Sequence, residues 1–235
     1  MIQNLKTLIN DANIEGIPSI EEISNEYKFP RLTMASGDNN PKLFAWKFLH
    51  SDYIVEASKC WRDQILVDIG CGRHLDGYII AKIVGAKAYI PIEPYNMTKF
   101  YQRLTSEKES KGDEKFNEQI KGLRVFIQNQ NYEKDVITKI IEGIDFHFDG
   151  GKIPVVPIAE DMLTALKRFP ENSVSIMTAG LDRCIIWRDD YAELAEKEIS
   201  RVLHPEGAYL SISSRLTPKE LEKDISFKGN SFEKF

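Results

Sequence analysis

Five short, mostly apolar runs recur through the middle and later parts of the sequence. They lie at 65–69, 88–92, 153–158, 173–178 and 208–213. Strands that are buried on both faces have continuous apolar sequences, whereas half-exposed strands alternate apolar and polar residues. The pattern therefore predicts a parallel sheet whose strands are covered on both sides.

Amphipathic segments with readable ends separate several of these runs. They predict helices at 76–84, ending at Gly85, at 160–169, ending at Pro170, and at about 190–203, ending at the turn 204–207. Alternating strands and helices favour right-handed crossovers. The predicted fold class is therefore α/β, with a doubly wound, mainly parallel, Rossmann-like sheet and helices on both faces.

Two long segments lie outside this alternation. Residues 1–64 contain helix-start signals at Ser19 and at Asn40–Pro41, which predict a helical N-terminal extension packed on the core. The remaining chain, 65–235, is expected to form one Rossmann-like domain. The interval 93–152 is longer than one crossover helix requires, so we expect an insertion within it.

Two smaller features complete the predicted architecture. The run 145–151 alternates polar and apolar residues before a glycine turn, so it could form a small extra strand. After the fifth apolar run, residues 216–235 offer a short helix and one strand at most. A shortened C-terminal end of the sheet is expected.

Composition narrows the class of protein. The chain has 235 residues, 42% of them hydrophobic and 29% charged, and a formal net charge of -5, which disfavours binding to nucleic acid without excluding it. No apolar run is long enough to span a membrane, and the N-terminus has no secretory signal, so we expect a cytoplasmic protein without membrane partners. The three cysteines, Cys60, Cys71 and Cys184, contain no CxxC pair, and no metal site is expected.

The first apolar run leads into a glycine loop. Asp68 lies at the end of the run, and Gly70 and Gly72 flank Cys71. Two glycines at this spacing allow a tight turn and close approach of a ligand to the backbone. The dinucleotide fingerprint GxGxxG would require glycine at the position of Leu75, so a nicotinamide or flavin cofactor is disfavoured.

This segment, ILVDIGCG at 65–72, resembles the first motif of class I S-adenosylmethionine-dependent methyltransferases, with His74 in place of the third glycine. The resemblance extends to Glu93, an acid 21 residues after Gly72 at the end of the second run, and to RVLHPEGAYL at 201–210, which is similar to the family's turn into the fifth strand. It implies S-adenosylmethionine as the cofactor.

The resemblance also implies the residues that hold this cofactor. They are Asp68, Gly70, Cys71, Gly72, His74, Glu93, Ala159, Glu160, Asp161 and Ala179. A carboxylate at Glu93 would accept hydrogen bonds from the ribose hydroxyls. Glu160 and Asp161 would contact the adenine, or would instead favour the first turn of the following helix. Cys71 is interpreted as a small packing residue, and His74 as a ligand of the methionine carboxylate or an exposed helix-start residue.

The catalytic residues are less well marked. The loop after the fourth run, 178–187, lacks the (Asn/Asp)-Pro-Pro-(Tyr/Phe) motif of family members that methylate exocyclic or amide nitrogens. Asp182 could act as a general base and Arg183 could bind an anionic group, although a local ion pair or a solvated loop is the favoured interpretation. His147 is a further candidate base.

The predicted function is methyl transfer from S-adenosylmethionine to an unidentified acceptor, for which a small molecule is favoured. The alternative is a methyltransferase-like module that binds the cofactor without catalysis. A relative that uses decarboxylated cofactor for aminopropyl transfer is not excluded by the sequence. The oligomeric state is not predicted.

Overall fold

The computed structural model describes residues 53–72, 75–93, 100, 104, 114–179 and 189–212. The helices are α1 (Tyr53–Cys60), α2 (Asp76–Val84), α3 (Glu114–Gln128), α4 (Lys134–Phe148), α5 (Met162–Leu166) and α6 (Asp189–Val202). The strands are β1 (Ile65–Ile69), β2 (Ala88–Ile92), β3 (Ser175–Ala179) and β4 (Tyr209–Ile212).

The four strands form one parallel sheet with the order β2-β1-β3-β4. A fifth segment, residues 153–158, lies beside β2 and makes parallel bridges from Val155 to Tyr89 and from Ile158 to Ile92. We call it the edge segment. The chain therefore runs outward from β1 to the edge segment and then returns to the other side of β1 at β3. This order is that of a doubly wound fold, so the predicted fold class is confirmed.

The edge segment is less regular than the predicted third strand. The amide of Tyr89 donates to the carbonyl of Pro154, and the amides of Val156 and Ile158 donate to the carbonyls of Tyr89 and Pro91. Pro91 itself has no amide hydrogen, so one rung of this ladder is missing. The segment consequently forms two isolated bridges rather than a continuous strand.

Helices cover both faces of the sheet, as predicted. On one face, α1, α2, α3 and α4 contribute to a core that includes Trp61, Ile80 and Ile140. On the other face, α5 and α6 pack on the sheet through side chains such as Leu163 and Ile199. Each layer removes one face of the strands from water, which explains their continuous apolar sequences.

The helix ends follow the sequence signals closely at two of three places. Helix α2 ends at Val84, and Gly85 follows in the left-handed conformation with φ of 77°, as expected for a glycine cap. Helix α6 differs from its predicted bounds by one residue at each end. Helix α5 is shorter than the predicted 160–169, because Asp161 caps its start and turns replace the helix after Leu166.

The predicted extra strand at 145–151 is wrong, because α4 continues through Phe148. The buried residues of α4 are Val136, Ile140, Gly143 and Ile144, spaced as one helical stripe. Phe146 and Phe148 lie off this stripe and are 40% and 41% exposed. Their alternation with polar residues therefore reflects exposed aromatic rings at a helix end.

The interval 93–152 contains α3 and α4, and α4 packs against α2. Of the predicted N-terminal extension, only α1 and the turn after it lie within the described residues, and the predicted C-terminal end lies outside them. The domain bounds stay a prediction. Within the part of the chain that the structure describes, no helix has both the length and the apolar character needed to cross a membrane.

Candidate functional site

The loop after β1 lies at the carboxyl edge of the sheet. Gly70 and Gly72 have φ of 73° and 61°, a backbone region that residues with a Cβ rarely adopt. The amide of Gly70 donates to the carbonyl of Ile92 at 2.8 Å, so the loop begins where β2 ends. Both glycines are therefore required for the path of the backbone, as the sequence motif predicted.

Glu93 joins this loop to the end of β2. The amide of Gly72 donates to Oε2 of Glu93 at 3.1 Å, and the Glu93 residue is buried. Hydrogen bonds between a backbone N–H and an ionised carboxylate are among the stronger ones in proteins. The two best-marked sequence positions, separated by 21 residues, are thus brought into direct contact.

Asp68 lies beneath the loop in a closely packed position. Its residue is 1% exposed, and its Oδ2 accepts a 2.5 Å hydrogen bond from the hydroxyl of Tyr89 on β2. Gly77, in the first turn of α2, lies against both groups. A Cβ on Gly77 would be 2.5 Å from the Tyr89 hydroxyl and closer still to the Asp68 carboxylate. Glycine is therefore needed for the helix to approach this pair.

Cys71 is a buried thiol between two acids. Burial, with added effects from the negative charges of Asp68 and Glu93, raises the pKa of the thiol well above its ordinary value. The thiol stays protonated and donates to the carbonyl of Gly72 at 3.4 Å. A neutral thiol is a poor nucleophile, which supports the interpretation of Cys71 as a packing residue.

The predicted adenine contacts follow the edge segment. Ala159 is fully buried, and the carboxylate of Glu160 is held by Arg168, whose Nε donates to Oε2 at 2.9 Å. Oδ1 of Asp161 accepts from the amides of Leu163 and Thr164 at 3.0 and 3.1 Å. Both acids thus have local structural partners, and their contact with adenine stays a prediction.

The cap on α5 gives a stability prediction. Asp161→Ala should lower the free energy of unfolding by about 1 kcal/mol, because the first turn of α5 loses its side-chain acceptor. Denaturant unfolding measures this change. Asp161→Asn is the matched control, since its amide oxygen can still cap the helix. Equal stability of Asp161→Ala and wild type would show that the cap contributes nothing.

The chain adds strands outward on one side of β1 and then on the other, so the point at which this direction changes lies between β1 and β3. Ala179 ends β3 at the same edge of the sheet as the glycine loop, and its place near the ligand stays a prediction. Three other predicted residues, His74, Asp182 and Arg183, lie outside the described residues. Their roles stay predictions.

The structure does not bring His147 to this site. His147 lies in the last turn of α4, from which the chain enters the amino end of the edge segment. Burial, and secondarily the positive charge of Lys82, lowers the pKa of this histidine to about 4. The imidazole is therefore neutral near pH 7 and stands at the edge of the sheet opposite the glycine loop. This position does not support a direct role as the catalytic base, and that role stays a prediction.

Two residues at the site were missed from the sequence. Tyr89 reads as an apolar strand residue, and Gly77 reads as part of an ordinary helix start. The register that pairs Leu66 with Tyr89 and Asp68 with Pro91 places Tyr89 close to Asp68. The sequence feature that could have identified both residues is a tyrosine in the strand beside Asp68, combined with a glycine in the first turn of the helix after the glycine loop.

Comparisons with known proteins give matches only among solved structures. No family model matches the sequence, and no curated protein matches it. The chain is similar to a chain in the complex of the Haloferax volcanii Trm112 methyltransferase activator with a methyltransferase (10% identity, 80% of this chain, TM-score 0.39). It is also similar to the Bacillus subtilis YcgJ protein (13%, 73%, 0.34) and the Streptomyces viridochromogenes rRNA methyltransferase AviRa (10%, 68%, 0.38).

The matched regions cover 66%, 50% and 70% of those three chains respectively. Methyltransferases are among the solved structures to which this chain is similar. The likeness is one of fold.

Proposed function

We propose that the chain binds S-adenosylmethionine at the carboxyl edge of the sheet and transfers its methyl group to a small-molecule acceptor. The observation that carries the proposal is the hydrogen bond between the Gly72 amide and Glu93. It joins a glycine loop with two positive φ angles to a strand-end acid beside the switch point. Doubly wound sheets bind nucleotide-like ligands at this place.

The residues present suit this cofactor. The Glu93 carboxylate has two oxygens and can accept hydrogen bonds from adjacent ribose hydroxyls. The glycines of the loop leave space beside the backbone, because no side chain projects from them. Asp68 places a negative charge under the loop, which suits a cationic sulfonium ligand. Ala159 and the backbone of 160–161 are proposed to border the adenine.

When bound, S-adenosylmethionine supplies an electrophilic methyl group with a neutral thioether as leaving group. The protein would add alignment of the acceptor, which can lower a barrier by roughly 7–11 kcal/mol, and a base for the acceptor's proton. Asp182 and Arg183, in the loop after β3, remain the proposed base and anion contact. Ala179 would border the space between cofactor and acceptor.

A small molecule is the favoured acceptor because of charge. The net charge of -5 opposes long-range attraction of a polyanion. Nucleic acid is the alternative acceptor. A basic surface formed by residues outside the described ranges would support it. A cofactor-binding module without catalysis is the alternative function.

Glu93→Gln tests the proposed cofactor site. We expect S-adenosylmethionine to bind about 10- to 100-fold more weakly, because the new amide NH2 cannot accept a ribose hydrogen bond while its oxygen can still accept from Gly72. Isothermal titration calorimetry measures the affinity, and thermal unfolding verifies that the variant is folded. Glu206→Gln, at an exposed turn residue, is the control and should bind as wild type does.

Two results would contradict parts of the proposal. No binding to the wild type at millimolar S-adenosylmethionine would overturn the cofactor assignment, and equal affinity of Glu93→Gln and wild type would overturn the ribose contact. A broad screen of acceptors, read by release of S-adenosylhomocysteine, then separates enzyme from module. Binding without any release from small-molecule or nucleic-acid pools would favour the module.

A further inference from the structure

The hydroxyl of Tyr89 makes a buried contact that the proposed function does not yet use. It donates to Oδ2 of Asp68 at 2.5 Å, and the Tyr89 residue is fully buried. This distance is that of a hydrogen bond between the phenol and the carboxylate. The two residues lie on adjacent parallel strands, so the sheet itself fixes their separation.

The surroundings leave this pair little freedom. Gly77 of α2 and Met177 of β3 lie against it, with the Asp68 carboxylate, Met177 Cε and Tyr89 hydroxyl all close to the Gly77 position. The Tyr89 ring also packs against Tyr78 and Phe100, with ring centroids 5.8 and 6.3 Å apart. The phenol is therefore held from several sides, and the carboxylate that it contacts is held with it.

The charges around the pair favour this direction of donation. Burial, followed by the negative charge of Asp68, raises the pKa of the Tyr89 phenol well above its ordinary value, with Cys71 and Asp76 adding to the effect. The phenol therefore stays a proton donor. The same neighbourhood contains Asp76 from α2, Cys71 from the loop and, through Cys71, Glu93 from the end of β2.

We propose that Tyr89 is a positioning residue for the cofactor site, fixing the Asp68 carboxylate beneath the glycine loop so that its charge supports binding of the cationic ligand. Tyr89 acts through Asp68 and does not itself touch the ligand. The role rests on the proposed function, because it is defined by S-adenosylmethionine affinity. A tyrosine that served only to fill the core would be replaceable by phenylalanine without effect on that affinity.

Tyr89→Phe tests the role while keeping the ring and most of the buried volume. We expect S-adenosylmethionine affinity to fall about tenfold, since the carboxylate loses a charge-assisted donor. In an Asp68→Asn background, which has no carboxylate to position, the same substitution should change affinity less than about twofold. Tyr209→Phe, at a buried tyrosine in the core on the other face of the sheet, is the control and should leave the affinity unchanged.

A second measurement uses protein without cofactor. A strongly hydrogen-bonded phenolic proton should give a slowly exchanging, downfield proton NMR signal. We expect it in wild type and Tyr209→Phe, its loss in Tyr89→Phe, and its upfield shift in Asp68→Asn. This signal reports the pairing even if a variant is too unstable for calorimetry.

The outcomes separate the two proposals. Wild-type affinity in Tyr89→Phe, or an equal loss in the Asp68→Asn background, would overturn the positioning role while leaving the proposed function standing. A wild-type protein that shows the proton but binds no S-adenosylmethionine would overturn the proposed function and this role together. Absence of the proton in wild type would overturn the pairing itself.

Discussion

Gly143→Ala is expected to destabilise the protein by about 3 kcal/mol, at the upper end of the usual cost of overpacking. Gly143 lies on the buried stripe of α4, where that helix crosses α2. An added Cβ would be 2.6 Å from the carbonyl carbon of Ile83 and 2.9 Å from its Cα. Because these atoms belong to a helix backbone, the clash is relieved only if α2 and α4 move apart.

Gly122→Ala is the matched control for this prediction. Gly122 also lies inside a helix, α3, but a Cβ there has no neighbour within 4 Å. The same substitution should therefore stabilise the protein by about 0.5–1 kcal/mol, from helix propensity alone. Urea unfolding of both variants measures the difference. Similar free energies of unfolding for the two variants would show that α2 and α4 do not approach this closely.

Gly77→Ala is expected to reduce both the stability of the protein and the affinity of the site. A Cβ there would collide with the Asp68 carboxylate, and it would lie 2.5 Å from both the Tyr89 hydroxyl and Met177 Cε. We expect a loss of about 3 kcal/mol in stability. Because the collision displaces Asp68 or lifts the start of α2 from the glycine loop, S-adenosylmethionine binding should also fall by at least about tenfold.

Unfolding and calorimetry together separate the two effects of Gly77→Ala. Gly143→Ala lies at the contact between α2 and α4. This variant should lose similar stability, and its folded fraction should bind the cofactor as wild type does. If Gly77→Ala bound S-adenosylmethionine as tightly as wild type, the proposed link between α2, Asp68 and the ligand site would be incorrect.

The sequence predicted those parts of the fold that local chemistry determines. The continuous apolar runs at β1 and β2 and the glycine after α2 each have one dominant local interpretation. The edge segment was predicted as a full strand because it contains β-branched residues. Its irregularity comes from Pro91 on the neighbouring strand, which has no amide hydrogen, and the sequence of the edge segment does not reveal this. The run 145–151 was misread because alternation over a few residues does not distinguish a strand from an exposed helix end.

The candidate site also contains residues that the local sequence identifies and residues whose importance depends on other elements. Asp68, Gly70, Gly72 and Glu93 were identified from the family resemblance of their motifs, and the structure brings the glycine loop and Glu93 into contact. Tyr89 and Gly77 were missed because their importance comes from neighbours on other elements. His147 was a plausible base by residue type alone. Its place follows from the direction in which α4 crosses the sheet, which the sequence did not reveal.

The prolines of the edge segment have a consequence for association between molecules. Among the described residues this segment is the outermost on its side of the sheet. Its residues 156 and 158 direct their amides toward β2, so Val155 and Pro157 occupy the outward positions. Pro157 has no amide hydrogen to offer to an incoming strand. Pro157 is also buried, so an incoming strand would find neither a backbone donor nor an open surface at this position.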